Sequence, residues 1–492
     1  AGPAGPPPPA WPTQTPTPRA RLRARSGIRK VGACTSPLQT NRMPDHTPET
    51  AVMGQAAEAA RRLYEGLDDR PVAARASYED LLGRLELPLE GAGVPPAQVL
   101  DDLLRHSDDA LVGSGGPRFF GWVIGGSTPT AIAADWVLSA WEQNGAIYQT
   151  SPAAAVMEEV AAEWLKDLLR LPSECSVAFV TGCQMAHFTA LAAARHRLLA
   201  DRGIDVEREG LSGAPPIRVL VGGHRHESLI RAVRFLGLGS NAIQTLGLDE
   251  DGRLSLPELE AALAEDPDRP TVVSLMAGDL NTGAADPFDE VCALSHAHRA
   301  WVHVDGAFGL WMNASPRQRD VLRGCDQADS WATDGHKWLQ LPFDNGFAFV
   351  RDPEAHRAAM SMSAGYFIAP DGAGRESMDW NPEWSRRPRG VVAYAALRAL
   401  GRDGVAHVVD ECCRLATRLV DGLGGLPGVE VLSRARMNQG LVRFLDEGGD
   451  HDRRTDAVTE AIRREGTAWF GATDWKGRRA MRISVCNFRT TD

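Results

Sequence analysis

Between residues 153 and 351 the chain alternates short β-branched runs with amphipathic stretches, and this alternation limits its fold more than any other feature. Residues 176–180, 217–221, 271–275, 301–304 and 347–350 are short apolar runs that read as buried strands. Helical patterns at 185–199, 228–236 and 256–264 separate them. Strands that alternate with helices are joined by crossovers, which predicts an α/β domain whose mostly parallel central sheet is covered on both faces. In open sheets of this kind ligands bind beyond the carboxyl ends of the strands. The functional residues are therefore expected in the loops that follow them.

The flanking regions read differently. Residues 1–42 are crowded with proline and hold seven Lys/Arg and no acid, with little to bury, and are expected to be a disordered or non-native extension. Residues 43–117 read as an N-terminal helical arm, with apolar spacing of three and four over 51–67 and 78–85 and Pro95-Pro96 opening a further helix. Gly113 to Pro117 then breaks the chain, and 118–122 is an aromatic segment suited to core packing or to a pocket wall. Residues 118–390 form the large domain on this reading. Residues 391–492 form a small α+β domain, with helices at 391–400, 412–423 and 455–465 and strands at 429–432, 440–444 and 480–485. A closing helix is expected after the last strand, so this domain reads as truncated.

Charge and cysteine usage exclude several classes of function. The chain carries 53 Lys/Arg against 64 Asp/Glu, and seven of the basic residues lie in the first 42, so the folded body is acidic and unsuited to nucleic acid. No apolar run approaches the roughly 18 residues of a membrane span. Eight scattered cysteines, with no CxxC pair and no Cys/His cluster at metal spacing, predict a reduced, cytoplasmic protein without a metal site.

Three strand ends and one lysine carry the chemistry. Val180-Thr181-Gly182-Cys183-Gln184-Met185-Ala186 runs from a strand through a small-residue turn into a helix, whose first N–H groups can cradle an anion. Asp305 ends the strand that begins at Trp301, where a buried carboxylate needs a cation or a strong donor: a Mg²⁺ ion or a protonated ring nitrogen. Gly223-His224-Arg225-His226-Glu227-Ser228 opens a helix for which Ser228 is the expected cap, and the His226 imidazole can lie over an aromatic ring. In Ser330-Trp331-Ala332-Thr333-Asp334-Gly335-His336-Lys337-Trp338 a lysine follows a strand-like run. Desolvation and nearby positive charge would keep its amine neutral and able to attack a carbonyl. A phosphate cradle, a carboxylate for a pyridinium, an imidazole to stack and an imine-forming lysine are together the parts that hold pyridoxal 5′-phosphate (PLP).

The order of Thr181 to Arg195, His226-Glu-Ser, His303-Val-Asp305-Gly-Ala307 and Asp334-Gly-His336-Lys337-Trp338 resembles the group II PLP-dependent amino-acid decarboxylases, which are related to aromatic-L-amino-acid decarboxylase. The resemblance implies an aspartate-aminotransferase-like (fold type I) large domain and a homodimer with its active sites at the interface, residues 146–150 reaching across. It implies that Lys337 forms the imine, that Asp305 keeps the ring nitrogen protonated, and that Ala307 and His226 pack on the two ring faces. Cys183 and Gln184 would sit at the phosphate with Asp334 and His336 close by, and Thr282 would face the cofactor. Phe119, Phe120, Trp122, Tyr366 and Arg482 are the candidate substrate-pocket residues. The resemblance places Ser377 where animal and plant aromatic enzymes carry a loop tyrosine. The reaction so implied is decarboxylation of an amino acid, with an aromatic substrate favoured by the Phe119–Trp122 surface. A decarboxylation-coupled oxidative deaminase, a lyase and an aminotransferase are the alternatives.

Overall fold

The computed structural model describes residues 48–89, 91–362 and 375–492. A seven-stranded sheet is built from β1 (Ser176–Val180), β2 (Arg218–Gly222), β3 (Ile243–Leu246), β4 (Thr271–Met276), β5 (Trp301–Asp305), β6 (Ser330–Asp334) and β7 (Gly346–Val350). Its order is β1-β7-β6-β5-β4-β2-β3. All neighbours pair in parallel except β7, which runs antiparallel to both β1 and β6. The cause is local: residues 335–345 contain no helix, and a parallel return needs a crossover of roughly a dozen residues or more. β3 is half polar and lies at the edge, so it lacks the continuous apolar run by which the inner strands announce themselves.

Alternation along the inner strands divides the core. Val219 and Val221 pack with the helices Cys183–Ala200 and Glu227–Phe235 on one face. Leu220, Val273 and Val304 face the helices Pro152–Leu168, Leu256–Glu265 and Phe288–Ala297 on the other. The helix Gly390–Gly424 crosses from this layer to a second sheet, bending at Gly401, whose φ of 64° breaks the helical run expected as two pieces. The second sheet is antiparallel, in the order β10-β11-β9-β8, from β8 (Val429–Arg436), β9 (Gln439–Phe444), β10 (Gly471–Trp475) and β11 (Arg478–Ser484). β10 does not stand out in the sequence because its Thr473-Asp474 pair interrupts the apolar pattern. Ahead of both sheets lie the helices Pro48–Glu65, Tyr78–Leu85 and Pro96–Ser107, the second opened by a capping box between Ser77 and Asp80. Residues 1–42 and Tyr366 lie outside the described residues.

Two buried polar clusters lock the segment after residue 374 onto the body. Arg386 forks onto Glu158 with Nη2–O distances of 2.7 and 2.8 Å, and Glu158 also accepts from the Gly390 N–H and the Ser377 hydroxyl. Removing one partner of such a pair strands a charge in the core, at a cost of about 3–5 kcal/mol. His356 joins β1 to the same segment: its Nδ1 lies 2.8 Å from Ser176 Oγ, and its Nε2 donates to the Trp380 carbonyl at 2.9 Å.

The buried histidines set a pH dependence. Burial pushes His356 and His303 down to about 3, whereas an unfolded imidazole titrates near ~6.5. Between those values the unfolded chain binds more protons, so stability is present above pH ~6.5 and is lost as the pH falls, by about 1 kcal/mol per histidine per unit. The urea midpoint is expected to drop between pH 7 and pH 5.5. In His356→Leu, which starts less stable, the fall with pH should be shallower; an unchanged slope would remove His356 from this account.

Candidate active site

The parallel strands deliver their carboxyl ends to one edge of the sheet. β1 leads through Gly182 into the helix Cys183–Ala200, β5 ends on Asp305 and β6 ends on Asp334, with Lys337 three residues further on. Pairing of β5 with β6 sets Asp305 opposite Ala332 and so places the two carboxylates one pleat apart on neighbouring strands.

Asp334 is the hub of one half of the site. Its Oδ1 accepts the Cys183 N–H at 2.6 Å and lies 3.4 Å from His336 Nε2, and its Oδ2 is 2.8 Å from Lys337 Nζ. Burial raises the carboxyl, but Lys337 and His336 outweigh it and hold Asp334 below its ordinary range. Burial likewise opposes the charge on Lys337, and Asp334 outweighs it, so the amine is raised. This corrects the expectation of a neutral amine beside positive charge: the neighbour is a carboxylate, which favours the ammonium. The Asn345 N–H donates to His336 Nδ1, which leaves the Nε2 proton facing Asp334.

Asp305 is the hub of the other half. Its Oδ1 accepts the Ala307 N–H at 3.2 Å and lies 3.8 Å from Cys183 Sγ, while Oδ2 is 3.5 Å from His187 Nε2. Burial pushes this carboxyl up too, but His187, His226 and the Ala307 N–H together bring it well below the carboxylate range. Behind it, His187 Nδ1 lies 2.8 Å from His303 Nε2, His303 Nδ1 lies 2.9 Å from Ser330 Oγ, and Trp301 Nε1 donates to that hydroxyl at 2.8 Å. Neither histidine is among the residues that the sequence marks as functional, yet both are legible in it. His187 is one helical turn from Cys183, and His303 shares a strand face with Asp305 two residues away.

The remaining predicted residues divide. His226, not Ser228, caps its helix: its Nδ1 accepts from the Ser228 N–H at 3.2 Å and from the Ser228 hydroxyl at 2.7 Å, which fixes the proton on Nε2. Its ring is open to the cleft yet close enough to feel Asp305 and Lys337, and desolvation by the walls lowers it. Ala307 is half-buried, packed against the cluster that contains Cys183 and Ala332. The Cys183 N–H is taken up by Asp334, while its buried thiol, pushed well up, faces Asp305. Gln184 follows it in the first helical turn.

Thr282 does not present a free hydroxyl; both its N–H and its Oγ bond to Asp279, and it is Asp279 that shares a cavity lining with Asp305. Phe119 is 2% exposed and stacks on Trp469 beside Val72, so it is core packing with no face left for a ligand. Phe120 stacks on Phe470, and Trp122, 59% exposed, has its ring centroid 4.4 Å from that of Trp469. The same segment then passes directly beside the lysine, since a Cβ on Gly125 would come within 2.2 Å of the Lys337 carbonyl oxygen. Arg482, on β11, is buried, feels only Asp279, and forms no ion pair among the described residues.

These residues fit PLP. A Cβ on Gly182 would stand 3.2 Å from both Asp334 Oδ1 and His336 Cε1, so the turn is kept open by the missing side chain. The first-turn N–H groups of Gln184 and Met185 have no partner within the helix, as an anion cradle requires. Lys337, Asp305 and His226 converge on the same cleft. A second donor set also exists there: Cys183, His187 and Asp305 bring a sulfur, a nitrogen and an oxygen within 4.8 Å of one another.

The family described as the pyridoxal-dependent decarboxylase conserved domain matches residues 95–445. The chain is 26% identical over 438 residues to an aromatic-L-amino-acid decarboxylase of Bacillus atrophaeus, covering 86% of this chain and 88% of that one. It is 27% identical over 454 residues to an L-2,4-diaminobutyrate decarboxylase of Rhizobium meliloti (strain 1021), covering 89% and 86%. The crystal structure of Oryza sativa TDC with PLP and tryptamine superposes with a TM-score of 0.83 at 22% identity, over 90% of this chain and 94% of that one, which shows the shared fold. With most of its length matched by the family, the chain belongs to the pyridoxal-dependent decarboxylase family.

Proposed function

We propose that this protein decarboxylates an aromatic L-amino acid to the amine and CO₂, as a cytoplasmic homodimer. The observation that carries the substrate class is the pair Phe120 and Trp122 on the segment that passes beside Lys337, packed against Phe470 and Trp469. Stacked rings offer an apolar face that an indole or phenol can join.

Bound in this cleft, PLP supplies an electron sink for the pair left behind when CO₂ departs. Asp305, held ionised, keeps a proton at the ring nitrogen. Lys337 provides the amine that holds the cofactor, and its Nζ can carry a proton at the reacting face. His226, its Nδ1 occupied by Ser228, offers a neutral ring to stack. Arg482, buried without a salt bridge among the described residues, is a guanidinium free to fork onto a substrate carboxylate and orient it.

A second reading, decarboxylation coupled to oxidative deamination, is favoured by one observation. Ser377, at the position of the loop tyrosine, is buried with its hydroxyl committed to Glu158, so it cannot deliver a proton to the substrate.

The dimer is supported by apolar surface. The helices Tyr78–Leu85 and Pro96–Ser107 bury no residue while exposing Leu82, Leu85, Val99 and Leu103, and Trp136 and Trp141 are also exposed. Exposed apolar patches of this kind mark interaction sites. In the 146–150 segment, Ala146 is buried in its own chain while Gln149 and Thr150 face outward. The cytoplasmic assignment draws on the seven cysteines among the described residues, all buried and free.

With a panel of aromatic, acidic and diamino acids, the loaded enzyme is expected to release CO₂ and amine fastest from an aromatic one. Hydrogen peroxide and aldehyde in step with CO₂ would establish the oxidative reading, and keto acid without CO₂ would defeat both. Lys337→Ala should keep no cofactor through gel filtration and lose at least about 10²-fold in rate. Light scattering should give about twice the 53.1 kDa chain mass, and a monomer at micromolar concentration would refute the interface.

A further inference from the structure

We propose that Trp301, Ser330, His303 and His187 form a one-way hydrogen-bond relay that ends on Asp305 and fixes it as an ionised acceptor for the cofactor ring nitrogen, which makes His187 a positioning residue. The relay's role depends on PLP occupying the cleft, and it involves residues that the cofactor itself does not touch.

The direction follows from donor chemistry. An indole N–H can only donate, so Ser330 Oγ accepts from Trp301 at 2.8 Å. Ser330 is fully buried, and its hydroxyl proton has one acceptor among the described residues, His303 Nδ1 at 2.9 Å. His303 Nδ1 therefore carries a lone pair, and its proton sits on Nε2. That proton faces His187 Nδ1 at 2.8 Å, which makes His187 Nδ1 an acceptor and puts the His187 proton on Nε2. From there it faces Cys183 Sγ at 3.4 Å, with Asp305 Oδ2 alongside at 3.5 Å, and the Cys183 thiol continues to Asp305 Oδ1 at 3.8 Å. With the Ala307 N–H, every one of these groups reaches Asp305 as a donor. Of these groups only the Cys183 sulfur, a weak acceptor, could take a proton from Asp305, so the arrangement favours the carboxylate. Both histidines are fully buried.

Reversing the relay would put the His303 proton on Nδ1 and leave the Ser330 hydroxyl hydrogen unmatched in the core, an unmade hydrogen bond that a buried site does not tolerate cheaply. It would also turn a lone pair of His187 toward the carboxylate. The Cys183–His187–Asp305 donor set is affected in turn. A metal ion there needs the lone pair of His187 Nε2, which the relay has occupied with a proton.

The test begins with cofactor-free protein labelled with ¹⁵N-histidine. Long-range ¹⁵N–¹H spectra are expected to show His187 and His303 as neutral Nε2–H tautomers, with each signal assigned by its loss in His187→Gln and His303→Gln. Titration of PLP into the same apo proteins is expected to show affinity weakened about tenfold or more in His187→Leu, which removes the donor. His187→Gln, whose amide can still donate to the carboxylate, should stay within about threefold of wild type. Ser330→Ala, three hydrogen bonds from Asp305, should weaken binding by an intermediate factor and disturb the His187 signal. The relay is overturned if His187 is the Nδ1–H tautomer or doubly protonated, if zinc added to the apo protein binds His187 Nε2, or if the Leu and Gln variants bind PLP equally. A wild-type protein that takes up no PLP would defeat the cofactor assignment while leaving the tautomer measurement to decide the relay.

Discussion

A carboxylate buried at the end of a strand has to be compensated, and Asp334 is compensated by three groups from two parts of the chain. It receives the first N–H of the helix Cys183–Ala200, the imidazole of His336 and the ammonium of Lys337. Isolated, such a charge would cost several kcal/mol in desolvation; with these partners it becomes the point at which β6, the anion cradle and the lysine are held in register. β7 packs so closely on the same turn that a Cβ on Gly346 would lie 2.5 Å from the Gly182 Cα. The antiparallel return of β7 therefore lies between the cradle turn and β6, with Gly346 paired to Asp334.

The two acidic strand ends are chemically alike and do different work because their neighbours differ. Asp334 faces a lysine and favours its charged form. Asp305 faces His187, the Cys183 thiol and the Ala307 N–H, and would be the carboxylate available to a bound ring. Neighbouring parallel strands offer their terminal residues at nearly the same depth, so the sheet supplies the spacing and the surrounding side chains supply the roles. The Glu158–Arg386 pair acts further out, clamping the segment from Ser377 to Gly390 against the helix Pro152–Leu168.

Much of this is legible in the order of residues alone. The inner strands are visible as apolar runs because both sheet faces are covered, and Lys337, Asp305 and the Gly182 turn fall where strand ends put them. The illegible parts share a cause. Thr282 reads as a cofactor contact because the hydroxyl is visible in the sequence and its bond to Asp279 is not. Phe119 reads as a pocket wall because an aromatic residue does not disclose that Trp469, from the far end of the chain, covers it. The neutral state expected for Lys337 fails for the same reason: the nearest charge, Asp334, lies three residues back in the chain and only the fold aims it at Nζ.

The sequence by itself determined the α/β architecture and the sheet edge that bears the candidate site, since hydrophobic period and strand-end chemistry are local properties of the chain. Tertiary structure alone decided which residues meet there. It turned His187 and His303, unremarked on a helix and a strand, into the support of Asp305, and it gave Asp334 rather than solvent to Lys337. Charge state and hydrogen-bond direction depend on distances of a few ångströms between segments far apart in the chain, and those distances are set by packing.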